Sequence, residues 1–430
     1  MSSLTNLEHG IMSRYLVSLG YPEYRKLWLA TLCSQSASWA LIVARAALVL
    51  QMTGSATWTG AVTFAAMIPS VVVSPLAGYL ADRFDRRTVL ACAYAVNVCD
   101  NLVLAFLVVT GLIEPWHVLI LSAITGSARS TQMPSGQALM ANMVPRERLL
   151  NAVSLYQATF HGSRFVGPFL ILVVLWATGR QDWVFFLCAG LYILGLTIVL
   201  TVKTASRGAM QAGKFREIFV SNLVAGLSYM YRHPLILSLV LLVVAHCGMT
   251  MSFESLLPVF AQDKLDMEGN AAGLNGFSYL MVGFGVVALV AALMLAGVRT
   301  EAVRGKWLLW LGVASGASAV VLAMSPNLPI AVVSAAAMGF AQGGFMTLSH
   351  AMLQTIAPDE IRGRLLGVYS WHTNGTMAGF NLVNGALAGL TGLSAPLILG
   401  AGGVGFLLVM TMSFGRIPLR QLYSRGVPAT

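Results

Sequence analysis

Twelve apolar stretches, each near the length of one membrane-spanning helix, constrain the fold of this chain more than any other feature. A helix needs about 20 apolar residues to cross the hydrocarbon core of a bilayer. Within that core the backbone polar groups need partners in the same segment, so we predict helices there. The predicted class is an all-α membrane protein with twelve transmembrane helices, at 27–51, 57–80, 88–112, 116–141, 150–176, 183–203, 235–261, 271–298, 306–324, 328–354, 363–390 and 393–415.

Composition excludes a soluble protein. The 430 residues are 57% hydrophobic and 10% charged, whereas a soluble domain carries about 25% charged residues. The net charge of +10 does not indicate nucleic-acid binding, because the basic residues lie at the ends of the apolar stretches. We therefore expect a lipid bilayer, and no nucleic acid, as a partner.

Lysine and arginine also predict the orientation. If the N-terminus is inside, nearly all of them fall in cytoplasmic segments, and only Arg180 and Lys264 fall in segments on the opposite side. Basic residues favour the cytoplasmic side of a membrane. We predict a multi-pass protein of the cytoplasmic (inner) membrane with both termini in the cytoplasm.

A long polar connection after the sixth stretch divides the chain into two halves. The halves repeat weakly in the same direction, since Tyr24-Arg25-Lys26 opens the first helix and Tyr231-Arg232-His233 opens the seventh. We predict a cytoplasmic N-terminal segment, a first six-helix bundle, a cytoplasmic central loop, a second six-helix bundle and a cytoplasmic tail, at 1–26, 27–203, 204–234, 235–415 and 416–430.

A charged loop between the second and third stretches resembles a motif of major facilitator superfamily transporters. The family form is Gly-x-x-x-Asp-Arg-x-Gly-Arg-Arg, and this chain has Asp85 where Gly is common. The resemblance implies two parallel six-helix repeats and a cytoplasmic latch between them. We expect Asp82 to meet the start of the eleventh helix, where the helix dipole favours an anion. The predicted latch comprises Gly78, Asp82, Arg83, Arg86, Arg87 and Gly363.

Further segments are similar to the bacterial exporter branch of this superfamily, which includes enterobactin-exporter-like proteins and multidrug antiporters. They are Tyr24-Arg25-Lys26-Leu27-Trp28, Thr53-Gly54-Ser55, Val144-Pro145, Gly167-Pro168 and Pro358-Asp359-Glu360-Ile361-Arg362-Gly363-Arg364. The resemblance implies export of small amphipathic molecules by alternating access, with proton antiport. Two alternatives are a nutrient importer or uniporter of the same fold, and a scaffold or sensor that transports nothing.

Five charged residues lie within the predicted spans, and charges inside a bilayer are costly enough to suggest function. They are Arg45, Asp100, Arg129, Arg164 and Glu254. A membrane-buried carboxylate can carry a proton, so Glu254, Arg45, Asp100 and Arg129 are candidates for proton coupling or gating. Arg45 and Glu254 reach similar depths in helices related by the repeat. We expect either a pair that closes the outer side or two separate charges at its mouth.

The other charges also have two interpretations. Arg129 and Gln132 resemble the Arg-x-x-Gln-Gly motif of the fourth helix in proton antiporters, with Met133 replacing Gly. Arg129 could instead bond backbone carbonyls. Asp100 could carry a proton, although bonding to neighbouring helices is the simpler expectation. Gly167 and Pro168 retain the Gly-Pro of the antiporter signature in the fifth helix and are a predicted hinge, because proline bends a membrane helix.

Polar side chains in the spans are candidates for the substrate path, or for hydrogen bonds between helices. They are Gln132, His246, His372, Asn374 and Asn381. The sequence has no phosphate-binding motif and no paired catalytic groups, so we predict no enzyme activity, no cofactor and no metal site. The expected partners are a small-molecule substrate and protons, and we expect a monomer.

Overall fold

The computed structural model describes residues 16–73, 83–204, 215–265, 272–296 and 301–426. Within these ranges the chain is helical and contains no β-strand. The α-helices are α1 (Pro22–Thr53), α2 (Ala56–Met67), α3 (Pro69–Val72), α4 (Arg86–Thr110), α5 (Pro115–Met140), α6 (Arg146–Thr178), α7 (Asp182–Leu200), α8 (Phe215–Arg232), α9 (Pro234–His246), α10 (Leu257–Lys264), α11 (Ala272–Ala296), α12 (Glu301–Met324), α13 (Leu328–Ile356), α14 (Asp359–Leu390), α15 (Ala395–Ser413) and α16 (Ile417–Arg425).

As far as the described residues extend, each of the twelve predicted stretches overlaps one of these helices or a consecutive pair. Of the helices in the described ranges, nine are long and apolar enough to cross a membrane. The second stretch forms the shorter apolar segment Ala56–Val72, and α5 and α14 are long but carry more polar side chains. The prediction of an all-α membrane fold is confirmed.

Asp85, the residue that departs from the latch motif, caps the helix that follows it. Its carboxylate accepts hydrogen bonds from the backbone N–H of Thr88 at 3.0 Å and from the Thr88 hydroxyl at 2.9 Å. An acidic side chain at this position satisfies an N–H that the helix leaves without a partner. Asp85 therefore fixes the start of α4.

Hydrogen bonds between helix ends define the two sides of the bundle. Ser18 bonds Asn151 at the start of α6, and Lys203, just after α7, donates its N–H to Glu23 at the start of α1. We call this end the terminal side. At the other end, the far side, Gln181 donates a hydrogen bond to Gln51.

The helices of each half pack mainly on one another, and a few pairs join the halves. The chief contacts between halves are α2 with α14 and α6 with α11. On the far side α2 and α14 nearly touch, because a Cβ added to Gly60 would lie 2.9 Å from the Cα of Gly385. On the terminal side a cavity of about 360 Å³ lies between α3, α8 and α14, and its lining includes Val71, Asn222 and Gly367.

Two segments predicted as a loop and a tail contain helices. In the central segment, α8 (Phe215–Arg232) packs against the start of α14, where Gly226 lies against the carbonyl of Arg364. Apolar residues at helical spacing, such as Leu223 and Leu227, explain why this stretch folds against the bundle. In the tail, Ile417–Arg425 forms α16, which packs on α12. The domain boundaries themselves stay predictions.

Candidate functional site

The seventh predicted span is interrupted in the half that faces the far side. Helix α9 ends at His246, a single π-helical turn covers Cys247–Met251, and 252–256 is irregular before α10 begins. A π turn inside a helix often marks a functional site. Irregular backbone at membrane depth is tolerated only where protein groups satisfy it, so the partners of this break identify a built site.

Two asparagines of α14 satisfy part of the break. Asn384 donates through Nδ2 to the carbonyl of Ser252 at 2.6 Å. Asn381 accepts the backbone N–H of Ser255 at its Oδ1, at 3.0 Å. The predicted substrate-path residue Asn381 therefore supports the broken backbone, as does its neighbour Asn384.

Side chains from two other helices complete this support. Gln342 of α13 donates to the carbonyl of Thr250 at 2.7 Å. Thr59 of α2 donates to the carbonyl of Ser255 at 2.9 Å. Since α2 belongs to the first half of the chain, the break is also a contact between the halves.

Glu254 lies in the middle of the break and is fully buried. Its Oε2 accepts a hydrogen bond from Nδ2 of Asn381 at 3.1 Å. Its Oε1 has no hydrogen-bond partner and lies 3.6 Å from Nη2 of Arg164 on α6. The ionic partner of Glu254 thus comes from the other half of the protein.

Arg164 and Arg129 both lie near the ring of Trp39 on α1. The guanidinium carbon of Arg164 is 4.3 Å from the Trp39 ring centroid and 5.4 Å from that of Phe284. For Arg129 the distance to the Trp39 centroid is 5.9 Å. Aromatic faces attract cations at such distances. The Trp39 ring therefore contacts the guanidiniums of both Arg164 and Arg129 within the membrane span.

Arg45 pairs with Asp100 and not with Glu254, so the expected contact between Arg45 and Glu254 is wrong for this conformation. Nη2 of Arg45 lies 2.5 Å from Oδ2 of Asp100, and both side chains are buried. Thr125 bonds both partners, and Arg45 also donates to the carbonyl of Leu121. Helices α1, α4 and α5 pack together, so Arg45 is held within the first half of the protein.

The other substrate-path candidates lie in different surroundings. Asn374 lines the terminal-side cavity, and His372 bonds the carbonyl of Val368 on its own helix. His246 is buried, bonds Ser315 at 2.9 Å and packs on the rings of Phe345 and Phe406. Gln132 is buried, and neither of its side-chain polar atoms has a hydrogen-bond partner.

Part of the predicted latch lies outside the described residues, namely Gly78 and Asp82. Arg86 donates to the carbonyl of Ala138 at 3.1 Å, and Arg87 donates to the carbonyl of Leu200. Arg83 is exposed. Gly363 lies on the wall of the terminal-side cavity, and a Cβ there would have open space around it. Arg86 and Arg87 therefore tie α4 to helices of the first half.

At the predicted hinge, α6 passes very close to α1. A Cβ on Gly167 would lie 2.4 Å from the carbonyl oxygen of Ser36 and 2.8 Å from the backbone N of Ala40. Helix α6 continues through Pro168. Gly167 thus permits tight packing of two helices, and the hinge stays a prediction.

Several residues of the site were not among the sequence candidates, chiefly Trp39, Thr59, Gln342 and the pairing role of Arg164. Arg164 was visible as a charge within a span, but its partner was not. Trp39, Thr59 and Gln342 carry no sequence signal of their own, since such residues are common in membrane helices. Within the described ranges, no cluster of three or more His, Cys, Asp or Glu residues could hold a metal ion.

Comparison with known proteins decides the family. Residues 16–427 match the family described as transmembrane secretion effector. The chain belongs to this family of major facilitator transporters. It is therefore a multi-pass membrane transporter and not an enzyme, as the sequence predicted.

Individual relatives are similar over most of their length. The multidrug efflux pump Tap of Mycolicibacterium fortuitum is 25% identical over 76% of this chain and 80% of its own. The enterobactin exporter EntS of Escherichia coli O45:K1 (strain S88) is 25% identical over 90% of both chains.

Solved structures support the fold at low identity. The nucleoside transporter NupG superposes with a TM-score of 0.70 at 14% identity, covering 91% of this chain and 99% of that one. A peptide transporter, POT in complex with sulfate, gives a TM-score of 0.71 at 13% identity, covering 94% and 96% of the chains. These similarities concern the architecture alone.

Proposed function

We propose that this protein exports small amphipathic molecules by alternating access, driven by protons that Glu254 carries. The observation that carries this proposal is the ion pair between Glu254 and Arg164, because it joins the two halves of the protein. When two parts of a protein that move relative to each other are joined by a buried ion pair, a change in the charge of one partner can change the conformation.

The conformation fits one state of such a cycle. The halves touch on the far side and are separated by a cavity on the terminal side. The concentration of lysine and arginine at the terminal side favours a cytoplasmic position for it. In this state an amphipathic molecule would enter the cavity from the cytoplasm, near Asn374.

Exchange of the molecule for a proton at Glu254 would couple export to the proton gradient. The attraction between Glu254 and Arg164 is strong while the far side is closed, because both side chains are largely excluded from solvent. Binding of the molecule from the cytoplasm would compete with this pair, so that the halves separate on the far side and the molecule leaves there. A proton from the far side would then neutralise Glu254, so that the carboxyl can be buried again when that side closes. Release of this proton to the cytoplasm, once the terminal side is open, would re-form the pair, which couples inward proton movement to export.

The relatives support export and do not identify the substrate. One is named for multidrug efflux and another for export of enterobactin. We accordingly propose a drug-like or siderophore-like molecule as the substrate of this protein. A growth-inhibition panel in a host that lacks its own pumps would select a compound for transport measurements.

The decisive experiment measures transport of that compound in proteoliposomes, with and without an imposed pH gradient. Glu254→Gln fixes a neutral side chain, so we expect it to abolish uphill transport and to permit downhill exchange. Asp263→Asn is the matched control, because it neutralises an exposed carboxylate on α10. Uphill transport at the wild-type rate in Glu254→Gln would exclude Glu254 as the coupling residue. Wild-type transport that ignores the pH gradient would exclude antiport.

A further inference from the structure

The charges at mid-membrane depth do not balance. Three guanidiniums and two carboxylates lie within the spans, at Arg45, Asp100, Arg129, Arg164 and Glu254. Arg45 pairs with Asp100 and Arg164 with Glu254, whereas Arg129 forms no ion pair among the described residues. Arg129 is half-buried, and a charge that is partly removed from water without a counter-ion is costly. One positive charge in this region is therefore left for an anion to neutralise.

A cavity lies beside this uncompensated charge. It has a volume of about 20 Å³ and lies between α1, α2 and α5. Both Arg45 and Arg129 line it, together with hydroxyl-bearing residues such as Ser122 and Thr125, and no acidic residue of the described ranges does. Because the charged groups that the described residues place on its wall are cationic, the cavity disfavours metal cations.

The size of the cavity limits its occupant. A water-sized particle needs at least about 10–15 Å³ of such space, so about 20 Å³ admits one small ion. A complete amphipathic molecule would not fit, although its charged group could enter. Ser122 lines the cavity and accepts a hydrogen bond from Nη1 of Arg45 at 3.5 Å, which leaves the proton of its hydroxyl free to donate.

We propose that this cavity binds one monovalent anion between Arg45 and Arg129. The anion is either a free halide or the carboxylate or phenolate of a transported molecule. Arg129 supplies the net charge, since Arg45 is already neutralised by Asp100. The second source rests on the proposed export function, whereas the first does not.

Thermal unfolding of the full-length protein in zwitterionic nanodiscs tests the site without any transport. A ligand that binds only the folded state raises Tm with its concentration. Sodium HEPES is replaced by sodium chloride at constant ionic strength and pH. We expect a rise of a few degrees in the wild type and in Arg129→Lys, but none in Arg129→Gln. The matched control is Lys306→Gln, which removes an exposed cation elsewhere and should keep the rise.

A second measurement keeps the proposal testable if Arg129→Gln does not fold. Crystals of the wild type grown in sodium bromide should show an anomalous peak between Arg45 and Arg129. The absence of both the peak and the chloride effect would overturn the site, as would an equal chloride effect in Arg129→Gln.

Added benzoate separates the two sources of the anion. If carboxylates enter the cavity, benzoate shifts the chloride titration of the wild type to higher chloride concentrations. If benzoate has no effect, the ligand is a free halide. Because no step involves a gradient or a substrate, failure of the proposed export leaves this result unaffected.

Discussion

The carboxylate of Glu254 meets the guanidinium of Arg164 across the interface of the two halves, with 3.6 Å between Oε1 and Nη2. The carboxylate belongs to the break between α9 and α10, and the guanidinium belongs to α6. Both side chains are largely excluded from solvent, with 0% and 11% exposure. Attraction between them therefore contributes to closure of the far side in this conformation.

A double-mutant cycle measures that attraction. Glu254→Gln and Arg164→Gln each leave one uncompensated charge, whereas the double variant leaves none. We expect the double variant to lose less stability than the two single losses together, with a coupling energy of about 0.5–3 kcal/mol. Thermal unfolding in nanodiscs gives the three values. The pair Arg180 and Asp182, in which the arginine is exposed, is the control, and additive losses at Glu254 and Arg164 would show that they do not interact.

Arg45 and Asp100 should act on stability rather than on coupling. Asp100→Asn leaves the buried guanidinium of Arg45 without its counter-ion, and breaking such a pair costs about 3–5 kcal/mol. The double variant Arg45→Met and Asp100→Leu should recover much of this loss. Thermal unfolding and the membrane level of each variant check the expectation. An unchanged Tm in Asp100→Asn would contradict it.

The sequence predicted the depth of these charges but not their partners. Arg45 and Arg164 lie well inside helices that run from the terminal side to the far side, and Glu254 lies in the seventh span, which runs the same way. The depth of a residue in the membrane follows from its position along a helix. Depth alone therefore does not decide whether Arg45 or Arg164 is the ionic partner of Glu254. The choice depends on rotation of each helix about its axis. In spans that are apolar on most faces, composition barely specifies that rotation.

The break in the seventh span could also not be predicted from the sequence. Residues 252–256 read Ser-Phe-Glu-Ser-Leu and include neither glycine nor proline. Their irregular backbone depends on partners far away in sequence, such as Asn381 and Thr59. The twelve stretches, by contrast, depend only on local hydropathy, and within the described residues each of them overlaps one or two helices.

The latch can be tested by comparing its two aspartates. Asp82→Asn should leave expression nearly intact and reduce transport, because the expected contact with the dipole at the start of α14 needs a negative charge. Asp85→Gly restores the common family residue and removes the helix cap of α4, which costs a few tenths of a kcal/mol (~0.3). We therefore expect Asp85→Gly to transport normally. Equal rates in wild type and Asp82→Asn, at matched membrane levels, would argue against the latch.

The close contact between α2 and α14 predicts different effects for alanine at two glycines, Gly60 and Gly379. Alanine favours a helix over glycine by about 1 kcal/mol. At Gly60, however, the added Cβ would lie 2.8 Å from the carbonyl oxygen of Asn381, and backbone cannot easily yield. Gly60→Ala should therefore weaken closure of the far side, whereas Gly379→Ala, with open space around it, should not.

Distances between spin labels on the far side measure that closure. Labels at Thr178 and Thr391, with the native cysteines replaced, report the separation of α6 and α14. We expect a longer distance to become populated in Gly60→Ala and the wild-type distribution in Gly379→Ala. The same distribution in both variants would mean that this contact does not hold the far side closed.

Asn381 should matter more than Asn384, although both support the break. Asn381→Ala removes the hydrogen bond to Oε2 of Glu254 and leaves the N–H of Ser255 without its partner. Asn384→Ala leaves only the carbonyl of Ser252 without a donor. Losing a bond to a charged group costs more than losing one to a neutral group. In proteoliposomes we expect Asn381→Ala to lose most proton-driven transport and Asn384→Ala to retain a substantial part.

Asn381→Asp distinguishes the two hydrogen bonds of Asn381, because it keeps an acceptor for Ser255 but replaces the donor facing Glu254 with a second carboxylate. If Asn381→Asp transports at the wild-type rate and pH profile, the contact with Glu254 is dispensable and Asn381 serves the backbone alone.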